Sequence, residues 1–167
     1  MRKVTLACVL LLVSSFAFAQ KKWHAQKLTK KFTVNFPSAP TKTAGTTFAL
    51  KDSTNAIYTA TYSFIAQNLK IEERAFTKLV TTNEFANEFL NSLQTTLPQY
   101  ELSEIKIKQH KNYVSYQTEG KSETQQKSIF MNIIFVNGIY YSLSCALPNG
   151  QESANKELFL QSFKISK

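Results

Sequence analysis

The sequence predicts an α+β fold: a mostly antiparallel sheet covered by helices. Three observations predict it. First, apolar residues alternate with a period of two both before and after one strongly amphipathic stretch, residues 83–97, where the period becomes helical. Second, Asn137-Gly138 separates two apolar extended runs. That pair readily takes positive φ at two successive positions, as a tight type I′ hairpin requires. Third, strands and helices come in separate groups, in the order strands, helix, strands, helix, which is the α+β pattern.

In chain order, Phe32, Val34 and Phe36 alternate in a first strand closed by Pro37 and Pro40. Gly45 forms a turn before an extended Thr46 to Leu50. Asn55 opens a longer strand, Ala56 to Ala66. Tyr58, Ala60, Tyr62 and Phe64 give it a core-like face, and Thr59, Thr61 and Ser63 point the other way. A short helix is expected within 72–81. The main helix takes Asn83 as its N-cap and stops at Pro98. Phe85, Ala86, Phe89, Leu90, Leu93 and Leu97 form its apolar stripe. Glu84, Asn87, Glu88, Asn91 and Gln94 form its polar side.

Beyond Pro98, Ile105 and Ile107 alternate with Lys106 and Lys108, and Tyr113 to Thr118 forms a strand ending near Gly120. Ile129 to Val136 is apolar on both faces, which predicts a central strand covered from both sides. The Asn137-Gly138 hairpin leads into Ile139 to Leu147. Pro148-Asn149-Gly150 is a second turn, residues 152–161 a final helix, and residues 162–165 a last extended piece.

The N-terminus reads as an export signal. Arg2 and Lys3 precede an apolar run from Val4 to Val13, and Ala17-Phe18-Ala19 supplies the small residues that a signal peptidase accepts. The run is shorter than the roughly 20 apolar residues a membrane span needs. Residues 1–19 are therefore expected to be a signal peptide cleaved after Ala19. Residues 20–31 follow as a basic N-terminal arm, and residues 32–167 as a single α+β domain. The expected location is the periplasm or the cell exterior, with no transmembrane segment in the mature chain.

Cleavage leaves 148 residues, enough to build one core without staples. Cys145 is then the only cysteine, so no intramolecular disulfide can form and the core alone must hold the fold. Thirteen Phe and seven Tyr, less two Phe of the leader, supply apolar area for it. The net charge of +9 falls to +7 without Arg2 and Lys3. Lys21, Lys22, Lys27, Lys30 and Lys31 crowd the new terminus beside Trp23. They make a solvated arm that could also touch an anionic surface. No base-reading motif accompanies the charge, so nucleic acid is not an expected partner.

The residue inventory does not point to catalysis. Asp52 is the only aspartate, and His24 and His110 are far apart without a ligand-spaced partner, so no metal or other cofactor is expected. Cys145 shares a strand face with Ile139, Tyr141 and Leu143, which marks a buried thiol. The sequence contains no G-x-S-x-G elbow, and its four glycines are dispersed. Glu84 and Glu88 share a helix face, but it is the solvated one. Trp23, Tyr58, Tyr62, Tyr113, Tyr116, Tyr140 and Tyr141 have the chemistry to line a groove, although such sheet positions usually pack the core, with Trp23 the exception to that expectation.

Phe32-Thr-Val34-Asn-Phe36-Pro37-x-x-Pro40 resembles the opening of PsbP-like domains. The segment from Asn137-Gly138-x-Tyr140 to Pro148, and the helix ending Phe159-x-x-Ser162-Phe163, are similar to their C-terminal end. The resemblance implies an α/β/α sandwich with a central antiparallel sheet flanked by helices. It also implies a binding or assembly role. Members of that superfamily include an accessory subunit of the photosynthetic water-oxidising complex, a Ran-GTPase-binding protein, envelope lipoproteins and secretion-associated chaperones. No partner-specific motif is present to carry over, and the lipoprotein cysteine is absent. The Ala19-Gln20 junction resembles exported proteins of the Bacteroidota. The expectation is an exported non-catalytic binding or assembly module whose partner is another envelope or secreted protein. The alternatives are an envelope-surface binder acting through the lysine arm and an enzyme with a concealed site.

Overall fold

A computed structural model describes residues 23–166; the expected signal peptide, with Lys21 and Lys22, lies outside the described residues. The centre of the molecule is built from three long strands: β8 (Val114–Ser122), β9 (Lys127–Val136) and β10 (Ile139–Pro148). β9 lies between the other two and is antiparallel to both. This is the placement that its two-faced apolar pattern predicts. Asn137 and Gly138 turn β9 into β10 with φ of 51° and 71°, as the tight hairpin demands. Beyond β10 the sheet continues through β5 (Ile57–Ser63), β4 (Thr47–Lys51) and β3 (Thr41–Ala44). On its other side β8 pairs with β6 (Glu101–Leu102) and β7 (Lys106–Gln109). All pairings in this eight-stranded sheet are antiparallel.

Strand alternation divides the core in two. Ile129, Met131, Ile133 and Phe135 of β9 join one cluster. Ile134, with Phe130 and Val136 beside it, joins the other. Three helices supply the first cluster's cover: α1 (Ile65–Asn68), α2 (Glu73–Leu79) and α3 (Asn83–Thr96). Phe135 is its hub. Its ring meets those of Phe76, Phe85, Phe89 and Tyr116 at 4.7–6.2 Å, mostly edge to face. The second cluster is closed by α4 (Ala154–Leu160) and by a small sheet of β1 (His24–Lys27), β2 (Phe32–Phe36) and β11 (Lys164–Ile165). Phe32 stacks on Tyr141 at 3.8 Å and Phe36 meets Phe159 at 4.9 Å, so rings pin this layer to the sheet. The protein is thus a mixed α+β fold around a mostly antiparallel sheet. Among the described residues, no helix is long and apolar enough to cross a membrane.

Several local expectations need correction. The strand expected from Ala56 to Ala66 ends at Ser63, and Phe64 is 47% exposed instead of continuing the core face. The chain leaves the sheet there because the Ala66 amide donates to the Gly138 carbonyl (3.0 Å), which starts α1 beneath the hairpin turn. The N-cap of α3 is Thr82, not Asn83. Thr82 has extended backbone and its Oγ1 accepts from the Phe85 amide. Gln94 does not belong to the solvated side. Its Nε2 donates to the Tyr100 carbonyl and its Oε1 accepts from the Leu102 amide, which ties the end of α3 to β6. β8 runs past Gly120 to Ser122. A Cβ at Gly120 would lie 2.7 Å from Leu102 Cδ2 and 2.9 Å from the Glu101 carbonyl, so glycine there permits close approach of β6 and does not end a strand.

Within the basic stretch, residues 24–27 form β1, paired with Thr33 to Phe36. Half-buried Trp23 packs against the second cluster. Residues 24–27 are thus held in an edge strand, while His24, Ala25 and Lys27 stay exposed to solvent.

Candidate functional site

The most developed concavity lies on the α4 side of the sheet, where β7, β8 and β9 extend beyond the cover of α4 and β11. It has two adjoining lobes, of about 930 Å³ and 440 Å³, which share Gln117, Asn132 and Gln161. The strand register explains this meeting. Gln117 stands directly opposite Asn132, and Lys106 opposite Gln117, so all three side chains rise from the same face. One pair nearer the hairpin, Lys108 faces Ser115, which faces Ile134. Polar residues thus replace the apolar pattern of this sheet face at the point where α4 ends.

Asn132 is the unusual residue. It is 5% exposed, in a strand whose neighbours are almost all apolar. Its Nδ2 donates to the Leu160 carbonyl at 2.8 Å. That carbonyl is one of the last of α4 and has no partner within the helix. The bond fixes the amide's orientation, since only the nitrogen can donate to a carbonyl. The Oδ1 atom is therefore an acceptor, and it is enclosed without a hydrogen-bond partner. Leaving such an atom unpaired costs about 1–3 kcal/mol. Capping α4 explains the nitrogen and leaves the oxygen unexplained.

The lobes differ in charge. Lys31 and Lys108 line the larger one together with the His110 ring, and among the described residues no carboxylate does. The smaller contains Glu104, Glu119 and Glu157 with Lys106. The wall of the larger lobe is aromatic. The His110 ring stacks on Tyr113 at 4.1 Å, its Nε2 lies 3.3 Å from Ser115 Oγ, and Tyr113 meets Phe163 edge-on. Phe163 stacks in turn on Phe32, so the wall is anchored in the core. Beside the smaller lobe, Lys156 lies over the Phe130 ring at 3.9 Å and pairs with Glu157 at 3.3 Å.

Of the residues that the sequence singles out, the groove gathers Lys31, His110 and Tyr113. Lys27 and Lys30 are exposed elsewhere, and Trp23 packs on the core. Tyr58, Tyr116 and Tyr141 are fully buried, as expected for sheet tyrosines. His24 is exposed in β1. Sequence reading missed Asn132, Gln117 and Gln161. The one available signal is Asn132 itself, a polar residue inside the otherwise apolar run Ile129 to Val136.

Cys145 is fully buried, and burial pushes its thiol up to about 12, so it is protonated and inert at neutral pH. Among the described residues, no three His, Cys, Asp or Glu side chains are grouped to hold a metal ion. No protein-family model matches the sequence, and no curated protein matches it.

Proposed function

We propose that this protein is an exported, non-catalytic binding or assembly module of the periplasm or cell exterior, and that the two-lobed groove is its binding site. The observation that carries this reading is the groove itself: the amide side chains of Gln117, Asn132 and Gln161 meet where two polar cavities join. The groove also has the common make-up of a ligand site, an aromatic wall with a few converging polar groups. The thiol that could have acted as a nucleophile is protonated and closed off. The layers agree with an α/β/α sandwich of the PsbP-like kind: three helices on one sheet face, α4 and a small sheet on the other. The export part of the reading rests on Met1 to Ala19 alone. The partner class that fits that compartment is another envelope or secreted protein.

The test is a thermal-shift screen of the mature chain against peptides, oligosaccharides and polyanions, beside the double variant Gln117→Ala/Gln161→Ala. A ligand at a hundred times its Kd stabilises by about 2.7 kcal/mol, a rise of roughly 5–10 °C for a chain of this size. At least one compound should raise the wild-type Tm in this range and leave the variant unmoved. A Tm indifferent to every compound, or turnover of one of them, would overturn the reading.

A further inference from the structure

We infer that the groove takes an extended peptide segment of mixed charge, with its acidic end in the larger lobe and its basic end in the smaller. This rests on the binding-module reading and names its ligand class. Three observations converge on it. The first is charge: Lys31 and Lys108 face one half of the groove, and Glu104, Glu119 and Glu157 the other. Three of the eleven carboxylates in this basic chain converge there, against Lys106 and the Lys156 that pairs with Glu157, so the lobe keeps a negative excess. A ligand of one sign would be attracted to one lobe and repelled by the other, and such like-charge contacts are costly.

The second is the floor. Its residues shared by the two lobes, Gln117, Asn132 and Gln161, all carry amides. A peptide backbone presents a donor with an acceptor beside it at every residue. Gln117 and Gln161, which flank Asn132 in both lobes, carry the matching amide donor and acceptor. The third is the wall: the stacked His110 and Tyr113 rings, with Phe163 edge-on behind them, offer an apolar surface to one side chain of the segment.

The experiment measures fluorescence anisotropy with a short capped peptide, Asp-Asp at one end, Lys-Lys at the other, and a Ser-Gly spacer. The controls are an all-Asp peptide, an all-Lys peptide, the mixed peptide with N-methylated spacer amides, and an unlabelled uronic-acid oligosaccharide as competitor. Lys108 and Glu119 are both exposed, so Lys108→Glu and Glu119→Lys leave the core untouched. Each should weaken mixed-peptide binding about tenfold, or about 1.4 kcal/mol. N-methylation should weaken it to a similar degree, and both single-sign peptides should bind worse than the mixed one. Equal binding of the all-Asp peptide, or indifference to both charge reversals, overturns the inference. If instead no peptide binds but the oligosaccharide stabilises the wild type and not Gln117→Ala/Gln161→Ala, the peptide class falls and the groove stands as a binding site. If no probe of any class binds, both fall together.

Discussion

Tyr116 shows how much one polar atom decides at the scale of a residue. It is fully buried on β8, and its hydroxyl donates to the Val80 carbonyl at 2.6 Å, at the C-terminal end of α2. Burial pushes its phenol well above the ordinary range. Tyr116→Phe keeps the ring against Phe135 and leaves the Val80 carbonyl unpaired. The expected loss is about 1–3 kcal/mol, read as a lower midpoint in urea with an unchanged slope. An unchanged midpoint would mean that the bond contributes nothing net. Asp52 makes the opposite kind of contribution. Desolvation raises its pKa, but hydrogen bonds from the Thr54 hydroxyl and amide, the Ala56 amide and the Tyr58 hydroxyl outweigh it and hold the carboxyl below its ordinary value. This ties the Asp52–Asn55 turn to the core tyrosine Tyr58, which also meets Ser153 at the start of α4.

Among the elements, the β9–β10 hairpin organises its surroundings. Its Gly138 has φ of 71°, its carbonyl receives the Ala66 amide, and a Cβ there would stand 3.0 Å from the Ala66 Cβ. Gly45 also has positive φ, but open space surrounds its missing Cβ. Gly138→Ala is therefore expected to cost more than Gly45→Ala. The left-handed backbone contributes roughly 1–2 kcal/mol in both, and the clash with α1 acts at Gly138 alone. Urea denaturation of the two variants side by side checks this, and equal losses would show that α1 yields freely. The same comparison explains what the sequence pattern could resolve. Asn137-Gly138 was legible because two consecutive positive-φ positions need those residue types. The end of β5 was not, because Phe64 continues the alternation while the Ala66 bond to the hairpin, a tertiary contact, pulls the chain away.

The whole molecule has a pH dependence set by its buried acids. Cys145 moves from an ordinary value of 9.0 up to about 12, and Tyr58, Tyr100, Tyr140 and Tyr141 are also raised, in each case chiefly by burial. Above about pH 9 the unfolded chain releases protons that the folded chain keeps. The stabilisation is present in full below that pH and is lost as pH rises through about 12. Cys145→Ala should remove one proton's share, lowering the steepness of the alkaline decline by roughly 1 kcal/mol per pH unit. Unfolding free energies of both proteins from pH 8 to 11 test this. Parallel curves would show that the thiol titrates alike in both states. Asp52 acts at the other extreme: its contribution holds above its ordinary value and is lost as pH falls through its lower folded one.

The sequence by itself determined the α+β class, the covered central strand β9, the tight hairpin, the amphipathic α3 and the buried Cys145. Each follows from periodicity or local backbone preference, which neighbouring residues carry between them. Only the tertiary structure decided that Lys31, Lys108 and His110 share one lobe, that three glutamates share the next, and that Asn132 lies where the two lobes join. These residues come from the loop before β2, from the link between β6 and β7, from the chain spanning β7 to β9 and from α4. Cross-strand register and the end of α4 bring them together, and no short stretch of sequence encodes either.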